Sequence, residues 1–168
     1  MSINDWTTSS RSWTVLTESI NLPPHMVEGI AASQPYTQIV FIDRKRILGA
    51  VLFEGYTGVN GAVSMHANGD DAGWLRPGMV KVALRYAFQF LDVRQIICEV
   101  SSSNGPANSY SKRLGGRHIY TIEGYFPDAD LNVYSIERDK SPVWRRIRRS
   151  LADGKAKQAG RTPLGRIA

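Results

Sequence analysis

The chain has 168 residues, 42% of them hydrophobic, enough to bury one good core and too few for two ordinary domains. No apolar run reaches the length of a membrane span, and the start MSINDWTTSS has neither the basic cluster nor the apolar stretch of a signal peptide. A cytoplasmic protein with no membrane partner is the expectation. The net charge of +6 is uneven: residues 141–168 hold eight Lys or Arg against Asp153 alone, and the rest is near neutral. Attraction to nucleic acid or another acidic partner is therefore expected of that end.

Residues 1–11 read as an extension. SWTVLTESI is a first strand, and NLPPHMVEGIAAS is a helix that Pro24 opens and Ser33 to Pro35 close. TQIVFI and ILGAVLFEGY flank the charged turn DRKR as a hairpin. Asn60 and Gly61 supply a second, two-residue turn, because Asn-Gly tolerates positive φ. The result is a three-stranded antiparallel meander.

WLRPGMVKVALRYAFQFLD is the strongest helix, with Leu75, Met79, Val82 and Tyr86 on one face and Lys81, Arg85 and Gln89 on another. Pro77 suits its first position, and bare Gly78 leaves the N–H groups of Gly78, Met79 and Val80 open to a phosphate. A plain helix start fits the same residues. VRQIICEV follows as a strand that buries Cys98 as an inert thiol. With one cysteine and no histidine at zinc-ligand spacing, neither a disulfide nor a metal is expected.

The segment SSSNGPANSYSKRLGG then forms a short helix that Pro106 starts and Gly115 stops in a left-handed conformation, with Asn104 just before it. Helix capping alone accounts for an Asn there. RHIYTIEGYF and LNVYSIERD close a strand pair. Ser141 and Pro142 open a last helix in which Trp144, Ile147 and Leu151 form an apolar stripe and Arg145, Arg146, Arg148 and Arg149 crowd the remainder. The fold class is α/β with a mixed sheet: a domain over 12–140, then a basic helix and tail over 141–168.

Asn104, the small Ala107 three residues on, Leu114-Gly115 and the later Glu123-Gly124 form a pattern, and RYAFQFLDVRQIICEVSSSN is a matching helix-to-strand passage. Together with the element order from Ser12 to Trp144, densest from Trp74 to Asp139, this resembles the GCN5-related N-acetyltransferases, especially the ribosomal-protein-type and phage-encoded members. The resemblance implies six to seven strands with three to four helices, and acetyl-CoA as cofactor. The strands before and after the long helix would splay around its pantetheine arm. By the same likeness Met65, His66 and Ala67 would line the arm through backbone groups. Leu75, Arg76, Gly78, Met79, Val80 and Lys81 would cradle the pyrophosphate. Asn104 would sit beside the thioester, and Ala107 would leave room for the arm.

Three features depart from the family pattern. RPGMVK is only loosely like the phosphate loop. The family's general-acid Tyr, seven residues after the Asn, is here Ser111, and Tyr110 falls one residue early, about 100° around the helix. Tyr110 then turns toward the core, and Ser111 or water reprotonates the leaving thiolate. Gly116 replaces an aromatic and gives up its packing near the site.

His66 shares strand parity with Ser64, opposite Val63 and Met65, and an imidazole suits a general base at neutral pH. A structural histidine is the plainer reading. Glu54 and Glu99 are weaker candidates, expected as solvated strand-face charges. The resemblance makes the leading function acetyl transfer from acetyl-CoA to a primary amine, on a protein N-terminus or lysine. A non-catalytic binding protein working through its basic tail, or an acetyltransferase of small amines, stays open, as does a homodimer.

Overall fold

The near-continuous apolar run of ILGAVLF buries both faces of a strand, and the computed structural model, which describes residues 14–16, 36–43, 46–70 and 74–159, shows this directly. In β3 (Arg46–Glu54), Val51 and Phe53 enter the main core while Ala50 and Leu52 join Val40 in a smaller cluster on the other face. β3 pairs antiparallel with β2 (Tyr36–Asp43), which pairs in turn with β1 (Thr14–Leu16). On its other side β3 pairs antiparallel with β4 (Ala62–Gly69), completing the expected meander. The helix expected over 21–33 lies outside the described residues.

The second hairpin differs from the two-residue expectation. Its connection spans residues 55–61, with Gly55 and Gly58 at φ +60° and +104°. Asn60 does take positive φ, +58°, but it closes an inner turn in which the Gly61 N–H donates to the Gly58 carbonyl. Thr57 Oγ1 accepts the Ala62 N–H at 2.7 Å and ties the wider loop shut.

α1 (Pro77–Arg85) runs straight into a π-helical turn, Tyr86–Phe90, closed by the Leu91 N–H on the Tyr86 carbonyl. Met79, Val82 and Tyr86 are buried as their spacing predicts. Arg85 is buried too, against expectation: α1 packs on both the sheet and the last helix, and Arg85 Nε donates to Gln89 Oε1 at 3.2 Å. β5 (Gln95–Ser101), α2 (Gly105–Arg113), β6 (Arg117–Phe126), β7 (Ala129–Glu137) and α3 (Pro142–Ala159) follow. The sheet order is β1-β2-β3-β4-β5-β7-β6, and only β4 and β5 run parallel.

α3 is docked. Trp144 is buried with its ring 5.4 Å from that of Phe88, and Val143 and Ile147 pack on the same core. Ser141 Oγ donates to the Leu114 carbonyl at 2.7 Å and accepts the Trp144 N–H, joining the end of α2 to the start of α3. Arg145, Arg146, Arg148 and Arg149 are exposed. No helix among the described residues is long and apolar enough to cross a membrane.

Candidate active site

The parallel pairing of β4 and β5 is short, running only from Ala62↔Gln95 to Ser64↔Ile97. Beyond it β4 continues from Met65 to Gly69 bonded to β3, and β5 from Cys98 to Ser101 bonded to β7. The two strands therefore diverge, and a narrow apolar slot lined by Met65, Ala67, Leu75, Val80 and Tyr110 opens beneath α1. Cys98, by contrast, is buried in the core, where desolvation pushes its thiol up to about 12.

The approach to α1 is fixed by an indole lying on bare backbone. Gly49 and Gly69 are cross-strand partners, and a Cβ on either would fall 2.3 Å or 2.4 Å from ring atoms of Trp74. Trp74 thus seats on the ends of β3 and β4, and α1 begins three residues later at Pro77. Arg76 caps α1 without a side-chain hydrogen bond, and the first turn holds no acidic residue. The Val80 N–H donates to the Arg76 carbonyl at 3.0 Å, so it does not belong to the open set expected from the sequence. That set narrows to Gly78 and Met79, beside exposed Arg76 and half-buried Lys81.

At α2 the Asn104 Oδ1 accepts the Ala107 N–H at 3.1 Å, so this side chain caps the helix. Asn108, one turn on, escaped the sequence reading although a polar residue on a buried helix face was a signal for it. Its Nδ2 donates to the carbonyls of Ser101, at 2.8 Å, and Asn104, at 2.7 Å. Its Oδ1 accepts from Asn132 Nδ2 and from Tyr134 Oη. All four of its hydrogen-bonding positions are filled. One amide therefore binds the end of β5, the start of α2 and β7.

Tyr110 faces the slot, and its hydroxyl donates to the Leu75 carbonyl at 3.4 Å. Burial raises its pKa to about 12, partly opposed by Arg113, so the phenol keeps its proton at neutral pH. Ser111 is buried and does not line the slot; its carbonyl accepts the Gly116 N–H at 2.9 Å. Gly116 leaves no gap either. A Cβ there would meet that same carbonyl oxygen at 2.6 Å, so the return of the chain toward β6 has no room for an aromatic.

On the opposite face of β4, His66 Nε2 lies 2.9 Å from Glu54 Oε1, with the two side chains only 9% and 15% exposed. Glu54 is therefore not the solvated charge expected. The parity expected for His66 holds, since Val63 and Met65 enter the main core from the other side. Glu99 is exposed, two residues past Ile97 on β5 as His66 is two past Ser64 on β4, so the pair flanks the mouth of the divergence. Among the described residues, no three His, Cys, Asp or Glu side chains gather as a metal site requires.

No protein-family model matches the sequence, and no curated protein does. Solved structures do match in fold. A dodecameric spermidine N-acetyltransferase from Vibrio cholerae aligns at 17% identity and TM-score 0.57, over 62% of this chain and 66% of its own. A GCN5-related N-acetyltransferase from Brucella melitensis aligns at 17% identity and TM-score 0.56, over 67% and 56%. A third protein, provisionally described as an acetyltransferase, aligns at 18% identity and TM-score 0.60, over 72% and 67%. Diverging parallel strands beneath a helix start, in a mixed seven-stranded sheet, are thus the fold of the GCN5-related N-acetyltransferases.

Proposed function

We propose that this protein transfers the acetyl group of acetyl-CoA to a primary amine. The observation that carries the reading is the divergence of β4 and β5, which opens an apolar slot on one side of β4 and leaves the largely buried His66 on the other. The residues present suit the cofactor. Met65, Ala67 and Leu75 offer an apolar wall to a pantetheine arm, and Gly78 and Met79 offer N–H groups to a pyrophosphate next to Arg76 and Lys81. When bound, the thioester supplies an activated acyl carbon.

The chain's own residues handle protons. His66 takes the proton that the acceptor nitrogen must shed as its C–N bond forms. Tyr110, which lines the slot and whose hydroxyl stays protonated on the Leu75 carbonyl, is nearer than Ser111 to where a proton must return to the sulfur as the C–S bond breaks. The acceptor we infer is a protein amine, N-terminal or lysine, because the exposed arginines of α3 offer an acidic macromolecule a docking face. A polyamine is the second reading, favoured by the Vibrio neighbour and by exposed Glu99 at the mouth. A non-catalytic role through α3 is the third.

Calorimetric titration with acetyl-CoA, followed by acetylation assays on a lysine peptide, an N-terminal peptide and spermidine, tests this reading. Binding with turnover of one acceptor is expected, and at a hundredfold excess over Kd acetyl-CoA should add about 2.7 kcal/mol of stability. No binding at millimolar acetyl-CoA removes the enzymatic reading and leaves the third.

A further inference from the structure

Resting on that reading, we infer that Glu54 is a positioning residue that acts through His66 and is not itself the base. The two come from neighbouring strands but not from one cross-strand pair: His66 stands opposite Leu52, and Glu54 opposite Ser64. They share a face because Glu54 lies two residues along β3 from Leu52, and His66 two along β4 from Ser64, and they meet diagonally. The contact is made at Nε2, 2.9 Å from Glu54 Oε1. Burial of both side chains makes an unmade bond there expensive and the existing one persistent.

A carboxylate accepts and cannot donate, so it selects the tautomer with the proton on Nε2. That leaves the lone pair on Nδ1, and Nδ1 has no partner among the described residues. Nδ1 is therefore the atom that receives the proton the acceptor nitrogen sheds as its C–N bond forms, giving an imidazolium with N–H on both nitrogens. Glu54 stabilises that cation through the bond already in place. The second carboxylate oxygen, Oε2, is buried and has no hydrogen-bond partner among the described residues. An acceptor-only group that keeps one oxygen unsatisfied to hold the other on an imidazole fits a role in orientation.

Two substitutions separate this role from the alternatives. Glu54→Leu removes the acceptor, and Glu54→Gln keeps an oxygen that can accept from Nε2 but loses the charge. In proton NMR the wild type should show a downfield, slowly exchanging imidazole N–H that vanishes in His66→Ala and Glu54→Leu and persists in Glu54→Gln. In acetyl transfer, Glu54→Leu should lower kcat by about ten- to a hundredfold with KM for acetyl-CoA unchanged, less than the roughly 10²- to 10⁴-fold expected for His66→Ala. Glu54→Gln should recover part of the loss.

The decisive comparison is the pair of changes together. Glu54→Leu in a His66→Ala background should cost nothing further, because the residue through which Glu54 acts is gone. A further drop would make Glu54 the base and overturn the proposal, as would full activity in Glu54→Leu or an N–H resonance that survives it. The resonance is read without acetyl-CoA, so an inactive wild type would sink the acetyltransferase reading while the Glu54–His66 bond is judged separately.

Discussion

Removing the amide of Asn108 should loosen the wall of the cleft from behind. In Asn108→Ala the carbonyls of Ser101 and Asn104 each lose one donor, yet each keeps a backbone partner, from Asn104 and Asn108 respectively. Asn132 is half-buried and can turn to water. Tyr134 cannot: it is 2% exposed, and its hydroxyl is left with no acceptor. One stranded buried hydroxyl costs about 1–3 kcal/mol, and the lesser bonds add about 1 kcal/mol, so a loss of about 2–4 kcal/mol is expected by urea denaturation. Asn108→Asp should be no milder, since it turns an oxygen toward two carbonyls. The double variant with Tyr134→Phe should recover about 1–2 kcal/mol relative to the sum of the singles, because it removes both ends of the stranded bond. A cost below about 1 kcal/mol for Asn108→Ala, or an Asn108→Asp variant as stable as wild type, would refute the assignment of this amide as the joint between β5, α2 and β7.

Gly69→Ala should destabilise by about 1–3 kcal/mol through overpacking against Trp74, and it should weaken acetyl-CoA binding in the same titration, because the displaced indole leads directly into α1. Alkali should act through Cys98 and Tyr110. Both pKa values are raised in the folded state, so the stability gained by keeping these groups protonated is complete below their unfolded values and is lost as pH rises toward about 12. Urea midpoints should therefore fall from about pH 9 upward, and less steeply in Cys98→Ala; a flat profile to about pH 11 would count against buried neutral groups. Changing Arg145, Arg146, Arg148 and Arg149 together to Gln should leave the melting temperature and acetyl-CoA binding unchanged, since all four are exposed. It should flatten the salt dependence of binding to single-stranded RNA by about 0.7 in log–log slope for each phosphate no longer neutralised. Unaltered binding at low salt would place the acidic partner elsewhere.

What could be read from the sequence were features that neighbours along the chain decide. The apolar spacing of Met79, Val82 and Tyr86, the Pro and Gly around α2, and the stripe of Trp144 and Ile147 are local patterns, and each produced the element expected. The candidate site resisted because its contacts join distant segments. Glu54 becomes a buried partner of His66 only once the register of β3 on β4 is set, and no periodicity encodes that diagonal. The rotation that turns Tyr110 toward the core holds, but the slot proves to be bounded by that same core. Gly116 looks like a deletion from a pattern because a sequence shows which side chain is missing and not the carbonyl that occupies its space.

The seat of Trp74 on Gly49 and Gly69 joins three positions far apart in the chain into one unit of inheritance. A side chain gained at either glycine is tolerable only once the indole has gone, and a smaller residue at 74 frees both glycines at once. Among descendants of this chain, the three should change together or not at all. Lineages that have lost the indole should carry side chains at both strand positions. The path between the two states passes through an overfilled or a hollow seat, a valley that would keep the present arrangement in place even where selection on the cleft is weak.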